Sequence, residues 1–216
     1  MTSLKAILST ARKELMKKEQ ARKNTLNRTR KVTSLSKQAI LMVHQKRMRE
    51  ARNLLKKTRD ITVELKNITA THPEMCGVGM LSAAYQEYSE ANIFLNLVEK
   101  SAFITPKEID VPTVDYTLGL ADVIGEYRRL ALDALREGST RKAEQCLETM
   151  DEIYVELMAM DEAYMLVPGL RRKSDVARRV IEATRGDVTQ EIRRASLEKH
   201  LKKFEKYAKK PHPDKA

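Results

Sequence analysis

From Ser3 to about Lys66 apolar residues return every three or four positions, the period of a helix that buries one face. Ile40, Met42 and Val43 close one such stripe, and Ala51, Leu54, Leu55, Ile61 and Leu65 carry another. The phase slips at His44-Gln45-Lys46, which predicts a long first helix, a break and a shorter second helix. No Gly or Pro occurs before Pro73, and strands need such turn residues whereas helices do not. A loop is expected from Thr71 to Gly79, then helices over about 80–100, from Pro112 to near Gly138, and from Thr140 to about Leu166. Pro168-Gly169 should end the last of these. A short helix to Arg185-Gly186 and a final one capped by Asp187 and reaching about Ala208 complete the prediction. Gly119 and Gly125 interrupt a helix and suggest that another backbone comes close there.

This pattern predicts an all-α fold of about seven helices in a single domain over residues 1–208, with a flexible basic tail over 209–216. Of the 216 residues 42% are hydrophobic, enough for a core. No apolar run reaches the roughly 18 residues of a membrane span, and no signal-peptide pattern opens the chain, so the expectation is a soluble cytoplasmic protein. Two cysteines, Cys76 and Cys146, allow at most one bridge.

Charge sharpens the picture. The net charge is +11, but residues 1–66 hold 19 basic and 5 acidic side chains, residues 67–170 hold 7 and 18, and residues 171–216 hold 15 and 7. Basic flanks suit a polyanion and an acidic middle suits cations. Mutual neutralisation of basic and acidic helices on folding accounts for the same pattern equally well.

Several chemistries lack their parts. His72, Glu74 and Cys76 do not make a zinc signature without further paired ligands. No GxSxG, P-loop or GxGxxG motif occurs. What stands out is acid on helices: Glu87 with Glu90, Asp122 with Glu126, and the run Glu148, Asp151, Glu152 and Glu156. Spacings of three and four put the first two pairs each on one helix face. Apolar neighbours such as Tyr85, Tyr88 and Ile93 around Glu87 and Glu90 suggest carboxylates turned toward a bundle interior, where like charges need a counter-cation. That cation is either a metal, for which all-oxygen ligands favour Mg²⁺ or Mn²⁺, or the chain's own arginines and lysines.

QEYSEA (Gln86 to Ala91), GLADVIGEYRRLAL (Gly119 to Leu132), ETMDEIY and PGLRRKSDVARRVIEATRGDVT occur in an order and spacing that resemble the translin family. The closer resemblance is to its catalytic branch, translin-associated factor X, in the single-chain archaeal form, and it runs from about Arg28 to Leu201. The resemblance implies a seven-helix bundle with a long first helix, assembling into a hollow homo-octamer around single-stranded RNA or single-stranded DNA. It implies a Mg²⁺-dependent endoribonuclease, with Mn²⁺ as a substitute, in which Glu87, Glu90 and Asp151 are metal ligands. Glu126 is then a fourth catalytic acid or an orienting residue. Arg28, Arg30 and Lys31 on the first helix would hold the nucleic-acid backbone electrostatically. Few aromatics are available for base stacking, so sequence preference should be weak. The alternative is a non-catalytic RNA- or DNA-binding protein of the translin type, using the same shell.

Overall fold

A computed structural model describes residues 3–71 and 78–208. Among them are seven α-helices: α1 (Leu4–His44), α2 (Met48–Thr71), α3 (Val78–Lys100), α4 (Pro106–Ile109), α5 (Thr113–Arg136), α6 (Thr140–Met158) and α7 (Leu170–Ala208). A 3₁₀ segment, Asp161–Leu166, stands between α6 and α7, and the described residues contain no strand. The expected loop from Thr71 to Gly79, with His72, Glu74 and Cys76, lies largely outside the described residues, as does the 209–216 tail.

The chain divides into two compact units. The first comprises residues 1–123 and 162–170, the second residues 124–161 and 171–216, so the boundary cuts α5 between Val123 and Ile124.

In the first unit α1 packs on α2 and α3. The predicted break is where it was expected: α1 ends at His44, Lys46 takes a positive φ of 60°, and α2 starts at Met48. The packing stripe of α1 is Thr25, Thr29, Val32, Ser36, Ala39 and Val43, and that of α2 is Ala51, Leu55, Thr58, Thr62 and Leu65. Both alternate steps of four and three, the spacing of knobs between paired helices. Threonine fits these slots because its hydroxyl bonds back along its own helix: Thr25 to the Ala21 carbonyl at 3.0 Å, Thr29 to Thr25 at 3.0 Å, Thr58 to Leu54 at 2.8 Å. α3 is buried on most sides, with Tyr88, Ile93 and Phe94 all at 2% exposure or less.

The connection after α3 holds a feature the sequence reading lacked. Thr105 and Glu108 form a capping box around Pro106, which makes α4 a single turn. α5 begins one residue past Pro112, whose carbonyl accepts the Tyr116 N–H at 3.0 Å.

In the second unit Ala131 and Ala134 of α5, Ala143 of α6 and Val188 of α7 make a small-residue core, flanked by Leu135, Cys146 and Ile192. Two predicted boundaries need correction here. The helix expected over 140–166 stops at Met158, and Asp161, with a φ of 45°, turns the chain into the 3₁₀ segment. The stop expected at Gly186 is absent, and α7 runs unbroken from Leu170 to Ala208. Buried Ser174, Ala177, Ile181, Thr184 and Val188 continue one packing stripe through the glycine, so tertiary burial outweighs the roughly 1 kcal/mol that glycine costs a helix. Asp187 consequently caps nothing; it accepts a hydrogen bond from Arg128 at 3.2 Å.

Candidate nucleic-acid and carboxylate site

α3 carries Glu87 and Glu90 one turn apart, and its position is set by α5. A β-carbon on Gly119 would lie 2.6 Å from the Gln86 carbonyl oxygen, 2.8 Å from Ser89 Cβ and 3.0 Å from the Glu90 nitrogen. The absent side chain therefore lets α5 touch the backbone that bears both acids, as expected of this glycine. Gly125 is different: nothing lies within 4 Å of its would-be β-carbon, so the close approach expected there is not found. A second clamp lies one turn upstream. Ser82 donates to the buried Asp115 carboxylate at 2.5 Å and receives the Gln86 amide at 3.1 Å. Burial pushes the Asp115 carboxyl above its ordinary value, and hydrogen bonds from Ser82 and Gln86 only partly oppose this.

Glu90 is buried at 9% exposure, and the Glu87 side chain is one-quarter exposed. Glu87 is held from α1 by Lys37, with the ammonium 3.0 Å from its carboxylate. The same lysine lines a groove of about 550 Å³ between α1 and α3. Arg30, Thr33 and Leu41 of α1 and Met80 and Ala83 of α3 also line it. Ala83 is one turn before Glu87, so the groove and the acid pair adjoin. Sequence reasoning found the acids but missed Lys37, whose importance lies in a contact 50 residues away in the chain.

The cations expected on α1 fall into two kinds. Arg28 donates through Nε to Glu64 of α2 at 2.9 Å and ties the helical pair together. Arg30 and Lys31 are exposed and have no carboxylate partner among the described residues. Other basic residues of the first 66 do neutralise the acidic middle: Lys66 meets Asp110 at 2.5 Å and Arg52 meets Glu99. Both readings of the charge pattern thus describe part of the surface.

Asp151 and Glu126 belong to the second unit. One nitrogen of Arg185, from α7, reaches both Asp151 oxygens at 2.9 and 3.0 Å. Glu126 is half-buried on α5. Nearby, burial raises the Tyr127 hydroxyl to about 12 and the Cys146 thiol to about 11. For a divalent cation, the chemistry of Glu87 and Glu90 fits: two carboxylate oxygens on one helix face suit Mg²⁺, which usually takes one or two carboxylates and keeps waters or phosphates as its other ligands. Among the described residues no group of three His, Cys, Asp or Glu side chains is placed to hold a metal, so the fit rests on this pair. Lys37 at Glu87 and Arg185 at Asp151 stand where a cation would compete.

These features define an all-helical protein in which a basic first helix packs against a helix bearing paired, partly buried acids. Residues 20–184 match the translin family, and the chain belongs to it. It is 33% identical over 194 residues to a protein of Methanocaldococcus jannaschii whose function is uncharacterised, covering 88% of this chain and 85% of that one. Among solved structures it resembles AfC3PO in a complex with duplex RNA, with 34% identity, a TM-score of 0.74 and coverage of 85% of this chain and 95% of that one. AfC3PO in a second structure gives 34%, 0.72, 85% and 96%. Apo-NeC3PO, at 19% identity, a TM-score of 0.77 and coverage of 88% and 98%, shares the fold. Among the described residues no helix is long and apolar enough to cross a membrane.

Proposed function

We propose that this protein binds RNA along α1 and cleaves it with the help of a divalent cation at Glu87 and Glu90, in a homo-oligomeric shell. The observation that carries the reading is the adjacency of cations and acids in one unit: Arg30 and Lys37 of α1 line one groove, and Lys37 reaches Glu87 at 3.0 Å. The 34% identity to AfC3PO, which was solved with duplex RNA, supports an RNA ligand.

In this reading Arg30 and Lys31 attract the phosphodiester backbone and fix its register without reading sequence. Lys37 neutralises Glu87 while the site is empty of RNA, and a phosphate offers its ammonium a second anionic partner. Glu90, buried on the same helix as Glu87, adds a second carboxylate one turn away. Glu87 and Glu90 would hold Mg²⁺ or Mn²⁺, with waters and phosphate oxygens as its remaining ligands. The cation would supply charge neutralisation at the phosphate and acidify the attacking water.

Lys37 and Arg185 also favour a second reading, an RNA- or DNA-binding protein whose acids are permanently ion-paired. The deciding experiment incubates purified protein with end-labelled single-stranded RNA in Mg²⁺, then in EDTA. Fragments in Mg²⁺ and intact RNA in EDTA are expected. Intact, protein-bound RNA in both would leave the binding-only reading standing.

A further inference from the structure

The groove between α1 and α3 has a composition that an electrostatic track for phosphates does not need. Its exposed lining is mostly carbon, with Leu41, Met80 and Ala83 beside the polar Thr33, Ser34 and Gln38, while its cations, Arg30 and Lys37, are seven residues apart on α1. Seven residues are two helical turns, about 10 Å of axis, so the two cations line the trough at separate levels. Its volume of about 550 Å³ falls within the range of small-molecule sites, roughly 300–1,000 Å³. A groove with a mostly apolar lining and two cations complements a group with a flat apolar face and an attached anion. A nucleotide is such a group. An apolar side chain from a protein partner would fill the trough but leave the Arg30 charge unanswered.

We propose that this groove receives one base of the bound strand, turned out of its stack, while the two phosphates that flank it rest one on Arg30 and one on Lys37. The inference deepens the proposed function and rests on it. Met80 and Ala83 of α3 cover the base, and the Thr33 hydroxyl together with the Gln38 amide, which already donates to Ser34 at 3.2 Å, meets its edge. Neither group is committed to one base, so the groove accepts any of the four. Lys37 then links two events. The phosphate that draws its ammonium is the one next to the inserted base, and the carboxylate it releases is Glu87. Base insertion thus brings one particular phosphodiester to the acid pair.

The test fills the groove without touching a cation. Ala83 and Met80 are both exposed, so Ala83→Trp and Met80→Trp project into the trough at little cost to folding, which thermal melting checks for each. Affinity is measured by fluorescence anisotropy for a labelled single-stranded RNA and for a stabilised abasic strand of equal length. Each variant should bind RNA about fivefold more weakly, the low end of what a stacked base contributes, and bind the abasic strand as the wild type does. Equal loss for both strands, or no loss for either, overturns base insertion while leaving RNA binding intact. A changed sedimentation coefficient with unchanged RNA affinity assigns the groove to a second copy of the chain and also overturns it. Wild-type protein that binds neither strand overturns the proposed function itself.

Discussion

Gly119 and Gln86 meet so closely that a methyl group on the glycine would come within 2.6 Å of the glutamine carbonyl oxygen. Backbone cannot retreat from such a contact as a side chain tip can, so the two helices must separate if the glycine is replaced. The contact places α5 against the turn of α3 from which Glu87 and Glu90 project, and it couples helix packing to the geometry of the acids.

Gly119→Ala is therefore expected to destabilise the protein by about 1–3 kcal/mol, the usual cost of overpacking, despite alanine's better helix propensity. Gly125→Ala, with open space around it, should be neutral or stabilising. Urea melts of the two variants measure the contrast, and equal stabilities would mean that α3 and α5 are not in tight contact.

RNA binding should be governed by backbone charge. Removing Arg30 or Lys31 is expected to reduce the slope of log affinity against log salt by about 1 each, uniformly across sequences. Arg28→Ala should act mainly through the lost Glu64 contact, an exposed pair worth at most about 1 kcal/mol of stability. Titrations of single-stranded RNA at several salt concentrations distinguish the three.

Glu90→Gln keeps the side chain's size and hydrogen-bonding capacity while removing its charge. Cleavage in Mg²⁺ should vanish and RNA affinity should stay within about a factor of two, with a melting curve to check that the variant is folded. Activity that falls only in step with unfolding would point to a structural role for this acid.

Asp115 provides a pH test. Its carboxyl is raised in the folded state, so the folded protein binds that proton more tightly than the unfolded chain does. The stability this contributes is present below the ordinary aspartate value of 3.8 and is lost as pH rises through the folded value. Asp115→Asn, which still accepts from Ser82, should accordingly gain on the wild type between acidic and neutral pH. Melting curves at both pH values measure the gap, and a gap that shrinks would contradict the assignment.

Cys146 should react slowly. Burial raises its thiol to about 11, so little thiolate exists at neutral pH, and the thiolate is the nucleophile. Iodoacetamide labelling read by peptide mass spectrometry should show Cys146 protected in native protein and fully modified in urea.

The amino-acid sequence by itself determined the all-helical class, the break after His44, the shared face of Glu87 and Glu90 and the close approach at Gly119. Each depends on the helical period or on the steric character of one residue, and both are local. Tertiary packing decided what local pattern leaves open. Thr58 and Thr62 of α2 enter the core because α1 presents small residues to that stripe, although an apolar count favours Leu54 and Ile61. Gly186 stays helical because Thr184 and Val188 are buried on either side of it. Arg28 and Arg30 are alike in sequence, yet Arg28 finds Glu64 and Arg30 lines a groove. Which charge is paired depends on which helix faces it across the fold, and that is fixed by the sum of many distant contacts.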